Sequence, residues 1–195
     1  MSAIVPITHK KVIILTAPSG AGKSTITKYL LANYPNVGFS ISATTRKPRG
    51  TEKDGVEYHF LSTANFEEQI KQHNFLEYEM VYEGLYYGTL KSELDRLWQL
   101  GKTPVLDIDV KGAINVQNVL GDDCLSIFIM PPSIEVLKER LFNRQTESAE
   151  AIQTRIDKAA YEMEFSKAFK AIVKNEVLEV ACAEVAKLIE NFINH

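Results

Sequence analysis

A short aliphatic run, Lys11-Val-Ile-Ile-Leu-Thr16, leads directly into Ala17-Pro-Ser-Gly-Ala-Gly-Lys-Ser24. The run is β-branched and unbroken, as in a strand buried on both faces. The segment after it matches the spacing of the phosphate-binding loop G-x-x-x-x-G-K-[ST], with Ala17 in place of the first glycine. Gly20 and Gly22 let backbone N–H groups turn inward around phosphate oxygens. A helix from about Lys23 to Asn33, ended by Pro35, adds the partial positive charge of its N-terminus. Lys23 is expected to reach the β- and γ-phosphates and the Ser24 hydroxyl to ligate Mg²⁺. Ala17 fits the loop provided its φ is negative. A Gly-rich turn that binds nothing would not need this lysine, so the segment implies a nucleoside triphosphate site.

The chain has 195 residues, which fits one domain. Its 22 basic and 25 acidic residues give a net charge of −3, with no long run of like charge. This excludes a protein whose main task is to wrap nucleic acid or coat an anionic membrane. Cys124 and Cys182 are far apart and form no CxxC motif, so neither a zinc site nor a disulfide scaffold is expected. The N-terminal segment lacks an apolar signal region and no stretch is long enough to span a bilayer. A cytoplasmic protein acting on small molecules is expected, as a monomer or homodimer.

Apolar runs alternate with helical periodicity along most of the chain, which predicts βαβ units and a parallel sheet. Thr103 to Asp109 reads as a buried strand ending in two acids, and Cys124 to Met130 as another. A helical stripe of Cys182, Val185, Ala186, Ile189, Phe192 and Ile193 closes the chain. Residues 37–88 differ. They predict strands at Val37–Ser42 and Val56–Leu61, a short helix capped by Ser62 or Thr63, and a hairpin turning at Gly84. Thr89 is expected to cap the next helix. The reading is an α/β fold of the P-loop NTPase type, with core residues 10–36, 89–137 and 161–195. A mixed-β lobe at about 37–88 is inserted, and a helical lid covers about 138–160.

The loop alone names no reaction. Arg46 and Arg49 lie three apart on a polar segment and suit a bidentate grip on one phosphate. Arg140 and Arg144 share a helix face and, with Arg155, flank the polar stretch 143–148. That arrangement suits a lid bringing positive charge onto a transferring phosphoryl group. Surface charge on a coil, and helix pairing with Glu139 and Glu147, are the plainer alternatives.

Taken together these segments resemble the guanylate kinases. The resemblance runs from Val12 to about Ile193. It rests on Pro18-Ser-Gly-Ala-Gly-Lys-Ser-Thr25, Ser40-Ile-Ser-Ala-Thr-Thr-Arg-Lys-Pro-Arg49 and Asp54-Gly-Val-Glu-Tyr-His-Phe60. Phe75-Leu-Glu-Tyr78, Tyr86-Tyr-Gly-Thr89, Leu106-Asp-Ile-Asp-Val110 and Arg144-Gln-Thr-Glu147 extend it. It implies transfer of the γ-phosphoryl of ATP to GMP, and dGMP is a further possible acceptor. By that resemblance Ala17, Pro18, Ser19, Gly20, Ala21, Gly22, Lys23, Ser24 and Thr25 hold ATP, with Asn175 beside the adenine. Arg46, Arg49, Tyr58 and Tyr87 hold the GMP phosphate, while Ser42, Glu77 and Thr89 read the guanine. A carboxylate at Glu77 would accept from guanine N1–H and its amino group, a pair of donors that adenine lacks. Asp107 and Asp109 flank the GMP site and orient Mg²⁺ through water, as a pair without separate roles. Lys23, Arg46, Arg140, Arg144 and Arg155 carry the catalytic charge. No general base is required, because a phosphate oxygen is already a nucleophile.

Several positions depart from the family pattern. They are Ala17, Asn143-Arg-Gln145 in the lid, Lys111 after Asp-Ile-Asp-Val, and Lys174-Asn-Glu176. None removes a charge that the chemistry needs, so they bear on rate more than on reaction type. The competing classes are an inactive guanylate kinase-like interaction module and a P-loop kinase for another small phosphate acceptor.

Overall fold

The computed structural model describes residues 10–142 and 149–194. The first half contains β1 (Val12–Thr16), α1 (Lys23–Asn33), β2 (Val37–Phe39), β3 (Ala43–Thr44), β4 (His59–Phe60) and α2 (Thr63–Lys71). A hairpin of β5 (Phe75–Tyr82) and β6 (Leu85–Leu90) follows, then α3 (Lys91–Gln99), β7 (Thr103–Asp107) and α4 (Val110–Leu120). The remainder is β8 (Cys124–Met130), α5 (Ile134–Phe142), α6 (Ala149–Glu164), β9 (Ala171–Lys174) and α7 (Leu178–Asn194).

The aliphatic run before the loop forms the centre of a five-stranded parallel sheet ordered β2-β7-β1-β8-β9. Alternation along β1 sends Ile13 and Leu15 to one face and Val12 and Ile14 to the other. The first pair packs with Ile26 and Leu30 of α1 and with Ala181, Val185 and Ile189 of α7. The second pair packs with Leu94 of α3 and with Ala113 and Val116 of α4. Both faces are covered, which is why the run needs no polar alternation. The helical stripe on α7 faces this core, as its spacing predicts. Cys124 and Cys182 are buried free thiols, and burial pushes the Cys124 thiol up to about 12. No described helix is long and apolar enough to cross a membrane.

A second, mixed sheet is ordered β4-β3-β6-β5. Two expected strands are shorter here than their sequences suggest. The stretch Val37–Ser42 divides: Val37–Phe39 pairs with β7 in the parallel sheet, and the chain then crosses to β3 in the second sheet. Buried Glu93 of α3 braces that crossing by accepting from the Ile41 N–H at 3.1 Å. Of Val56–Leu61, only His59 and Phe60 pair as a strand, because the Asp54 carboxylate takes the Phe60 N–H at 2.8 Å and folds the preceding residues into turns. Thr89 does not cap α3. It lies in β6, and Leu90 occupies the cap position without a side-chain bond. Ser62 does cap α2, accepting from the Asn65 N–H at 3.2 Å.

Candidate active site

The loop between β1 and α1 is shaped by left-handed backbone at Gly20 (φ 89°) and Gly22 (φ 99°). A side chain at Gly22 would also collide with the Asn175 amide, which lies directly against it. Ala17 needs no such freedom. Among the described residues His73 is the one non-glycine with positive φ, so Ala17 sits in ordinary backbone, and its methyl packs against two apolar clusters. The alanine therefore replaces glycine at no conformational cost.

Asn175 follows β9 and is buried. Its Nδ2 donates to the Ala21 carbonyl at 2.7 Å, and its own carbonyl accepts from Arg140 Nη2 at 3.2 Å. Its Oδ1 is buried without a hydrogen-bond partner. Here the asparagine fastens the loop to the edge of the sheet. Arg155 of α6 also reaches the loop, with Nη1 3.4 Å from Ser19 Oγ. Arg144, Asn143, Gln145 and Glu147 lie outside the described residues.

Pairing of β1 with β7 sets Leu15 opposite Asp107 and so delivers the carboxylate to the loop. Lys23 forms an ion pair with it. Asp109, two residues on, is the N-cap of α4, accepting from the Gly112 N–H at 2.8 Å. The two acids therefore have different local duties. A cleft of about 500 Å³ lies over the loop, lined by Lys23, Ser24, Asp107 and Asp109 and reaching Ser42 and Tyr58.

A smaller cavity of about 230 Å³ adjoins it, lined by Ser42, Tyr58, Glu77, Tyr87 and Glu79 together with Asp107 and Asp109. Opposite Glu77 in the hairpin register stands Thr89, whose hydroxyl donates to Glu77 Oε1 at 2.7 Å. Burial raises the Glu77 carboxyl above its usual range, and the Thr89 bonds offset part of that rise. Its second oxygen lies against Gly112, where a Cβ would come within 3.1 Å, so glycine there makes room for the carboxylate. Glu79 hydrogen-bonds to Asp109, which with burial lifts Glu79 to about 7. Burial would raise Asp109 as well, but the bonds from Glu79 and the Gly112 N–H outweigh it and hold Asp109 low.

Arg46 and Arg49 do not line these two cavities. They are gathered by Glu52, which sequence reasoning passes over. Glu52 accepts from Arg46 Nη1 and Nη2 at 2.7 and 3.0 Å and from the Arg49 N–H at 2.7 Å. These bonds raise Arg46 and hold Glu52 down at about 2. The Arg46 guanidinium also lies 5.1 Å from the Tyr58 ring centre, and the Tyr58 and Tyr87 rings meet edge-on at 6.0 Å. Arg46 is thus fixed at the rim through the same tyrosine that lines both cavities. Lys158 and Glu162 of α6 also face the cleft, another pair the sequence reading misses. Their signal is the i,i+4 spacing three residues beyond Arg155, which is equally the mark of an ordinary helix-surface pair.

No group of three or more described His, Cys, Asp or Glu side chains could hold a metal ion by itself. The Ser24 hydroxyl and the Asp107 carboxylate are among the side-chain oxygens that line the cleft. Such a set fits a hard cation that keeps most of its waters and takes its remaining oxygens from a phosphate chain.

A family model described as Guanylate kinase matches residues 9–192. Guanylate kinase from Bacteroides thetaiotaomicron is 50% identical over 184 residues, covering 94% of this chain and 90% of the relative. Guanylate kinase from Chlorobium chlorochromatii is 48% identical over 183 residues, covering 94% of this chain and 96% of the relative. Among solved structures, guanylate kinase from Anaplasma phagocytophilum superposes with a TM-score of 0.73 at 27% identity, covering 94% of this chain and 86% of that one. The match extends through the phosphate loop, the Ser42–Arg49 segment and the Asp-Ile-Asp turn alike, and on that ground the chain belongs to the guanylate kinase family.

Proposed function

We propose that this chain transfers the γ-phosphoryl group of ATP to GMP, giving ADP and GDP, with the triphosphate over Ala17–Thr25 and the acceptor in the cavity beside Glu77. The observation that carries the reading is the junction of the two cavities. A loop built for phosphates opens onto a chamber whose half-buried carboxylate, Glu77, is held by Thr89. Guanine offers that carboxylate two adjacent donors, and the Ser42 hydroxyl can serve the O6 acceptor. Adenine lacks that pair of donors and would leave the half-buried carboxylate with Thr89 alone, and an unmade recognition bond of this kind costs about 10⁴-fold or more.

In the reaction an oxygen of the GMP phosphate attacks the γ-phosphorus, and the bond to the β–γ bridging oxygen breaks to release ADP. Lys23 leaves Asp107 for the β- and γ-phosphates, which frees the Asp107 carboxylate. Ser24, with Asp107 through water, would hold Mg²⁺, which when bound with ATP neutralises charge between its phosphates. Arg46 and Arg49 grip the acceptor phosphate with Tyr58 and Tyr87. Asn175 keeps the loop closed on its way to the adenine side. Residues 138–160 act as the lid, on which Arg140, Arg144 and Arg155 bring charge to the transferring group and exclude water. The lobe at about 37–88, which carries most of the second sheet, serves as the acceptor lobe.

The test is ADP production from Mg²⁺-ATP with GMP, AMP, UMP or no acceptor. Turnover confined to GMP, with dGMP as the next acceptor to try, is expected. Turnover with AMP or UMP overturns the base reading, and GMP binding without turnover revives the interaction module.

A further inference from the structure

The donor and acceptor cavities meet over a narrow strip of surface. Among the described residues Ser42, Tyr58, Asp107, Ile108, Asp109 and Lys158 line both, and Lys158 is the one cation in that set. It comes from α6, outside both the phosphate loop and the second sheet. It sits three residues after Arg155, on the same helix face. Its Nζ lies 3.6 Å from Glu162 Oε1, four residues on, while the side chain remains 66% exposed within the cleft. Glu162 is nearly buried, and burial raises its carboxyl against the pull of Lys158. The ammonium also acts on Glu79 and Asp109 across the strip.

A phosphoryl group passing from one cavity to the other must cross this strip. There two phosphate anions approach each other beside Asp107, Asp109 and Glu162, so repulsion is greatest where the bond forms. A flexible four-carbon stem with three donors can follow a moving phosphoryl group better than a fixed fork. On the reading given above, we propose that Lys158 is a further catalytic residue, whose ammonium leaves Glu162 and bridges the acceptor phosphate and the transferring phosphoryl group. Glu162 is its positioning residue, holding the ammonium over the junction while the cleft is empty. No added covalent step is involved. The lysine lowers the charge repulsion of the step already described.

The full chain is assayed for ADP formation with saturating Mg²⁺-ATP and varied GMP as wild type, Lys158→Ala, Lys158→Gln, Lys158→Arg and Lys158→Ala/Glu162→Gln, with melting temperatures in parallel. The expected result is a fall in kcat of about 10²-fold for the alanine and glutamine variants at unchanged melting temperature, on the scale of losing one preorganised charge. Arginine should restore most of it, and Glu162→Gln should restore nothing. An alanine or glutamine variant within threefold of wild type overturns the role. So does rescue by Glu162→Gln, which would make Lys158 a countercharge to that carboxylate only. Wild-type protein without GMP turnover overturns the parent reading and this role together, whereas wild-type turnover with indifferent Lys158 variants overturns this role alone.

Discussion

The parallel sheet and the mixed sheet are held together in different ways. In the first, β1 is buried along its whole length, with strands on both sides and helices on both faces. In the second, β3 and β4 have two residues each, and the outer strand β5 leaves Tyr78, Met80 and Tyr82 exposed. Its apolar anchor is small. Phe66 of α2 stacks on Phe75 with ring centres 4.2 Å apart and on Tyr86 at 5.1 Å. Much of the remainder is polar: Thr44 Oγ1 donates to the Tyr86 carbonyl at 2.9 Å, Thr45 Oγ1 to the Gly84 carbonyl at 2.8 Å, and Glu52 holds Arg46. Burial fixes the phosphate loop on a rigid support, while most of the residues proposed to read the acceptor base stand on a lightly packed sheet. Elements with few buried apolar contacts are the ones that open and close at low cost. A kinase that must admit an acceptor and then exclude water needs that division.

The contrast breaks first at Phe66. Phe66→Ala removes a fully buried ring shared by α2, β5 and β6. A loss of about 3–5 kcal/mol is expected, the usual range for a buried aromatic truncated to alanine. Denaturant melts followed by hydrogen exchange should show the second sheet opening before β1, β7 and β8. Simultaneous loss of protection in both sheets would mean that they form one cooperative unit.

Lys23→Ala is expected to lower kcat by about 10²–10³-fold, as when one preorganised donor is removed from a reacting anion. The melting temperature should change little, because the lysine contributes one ion pair, its side chain 19% and that of Asp107 26% exposed, and belongs to no apolar cluster. Near-normal turnover would detach the loop from the chemistry.

Acidity sharpens the comparison on the acceptor side. Burial raises Glu77 in the free protein, so its protonated form persists above the ordinary carboxylate range of about 4.3. Guanine needs the ionised form. The KM for GMP should therefore rise as pH is lowered from 7 into the elevated range by more than the KM for ATP, since protonation of the nucleotide phosphates affects both substrates. The sign for folding is opposite: the folded chain holds a proton that the unfolded chain releases, so this group's stabilisation is lost as pH rises through its raised pKa. Urea midpoints and GMP titrations across pH 4 to 8 measure both. Parallel changes in the two KM values would show that Glu77 does not act on the acceptor alone.

Much of the core is legible in the sequence because burial on both faces, or on one helical face, leaves a pattern along the chain. Val12–Thr16 and the stripe Cys182, Val185, Ala186, Ile189 are of this kind. The second sheet is less so. A two-residue strand has no period to detect, and Thr89 looks like a helix cap until its strand partner Glu77 is known. Glu52 lies three residues beyond Arg49, yet its fork with Arg46 depends on a turn that brings the carboxylate back. Lys158 and Glu162 are indistinguishable in sequence from a solvated helix pair, and only the packing of α6 turns them toward the cleft.

Glu77→Gln tests the division between the two regions most directly, by comparing kcat/KM for GMP and AMP together with the KM for ATP and the melting temperature. The account predicts that GMP selectivity falls by about 10²-fold or more, since the amide cannot accept both guanine donors. The ATP parameters and the melting temperature, set by the parallel sheet, should stay within twofold and within a few degrees. Selectivity retained by the glutamine variant, or a KM for ATP that rises as steeply as that for GMP, would contradict it.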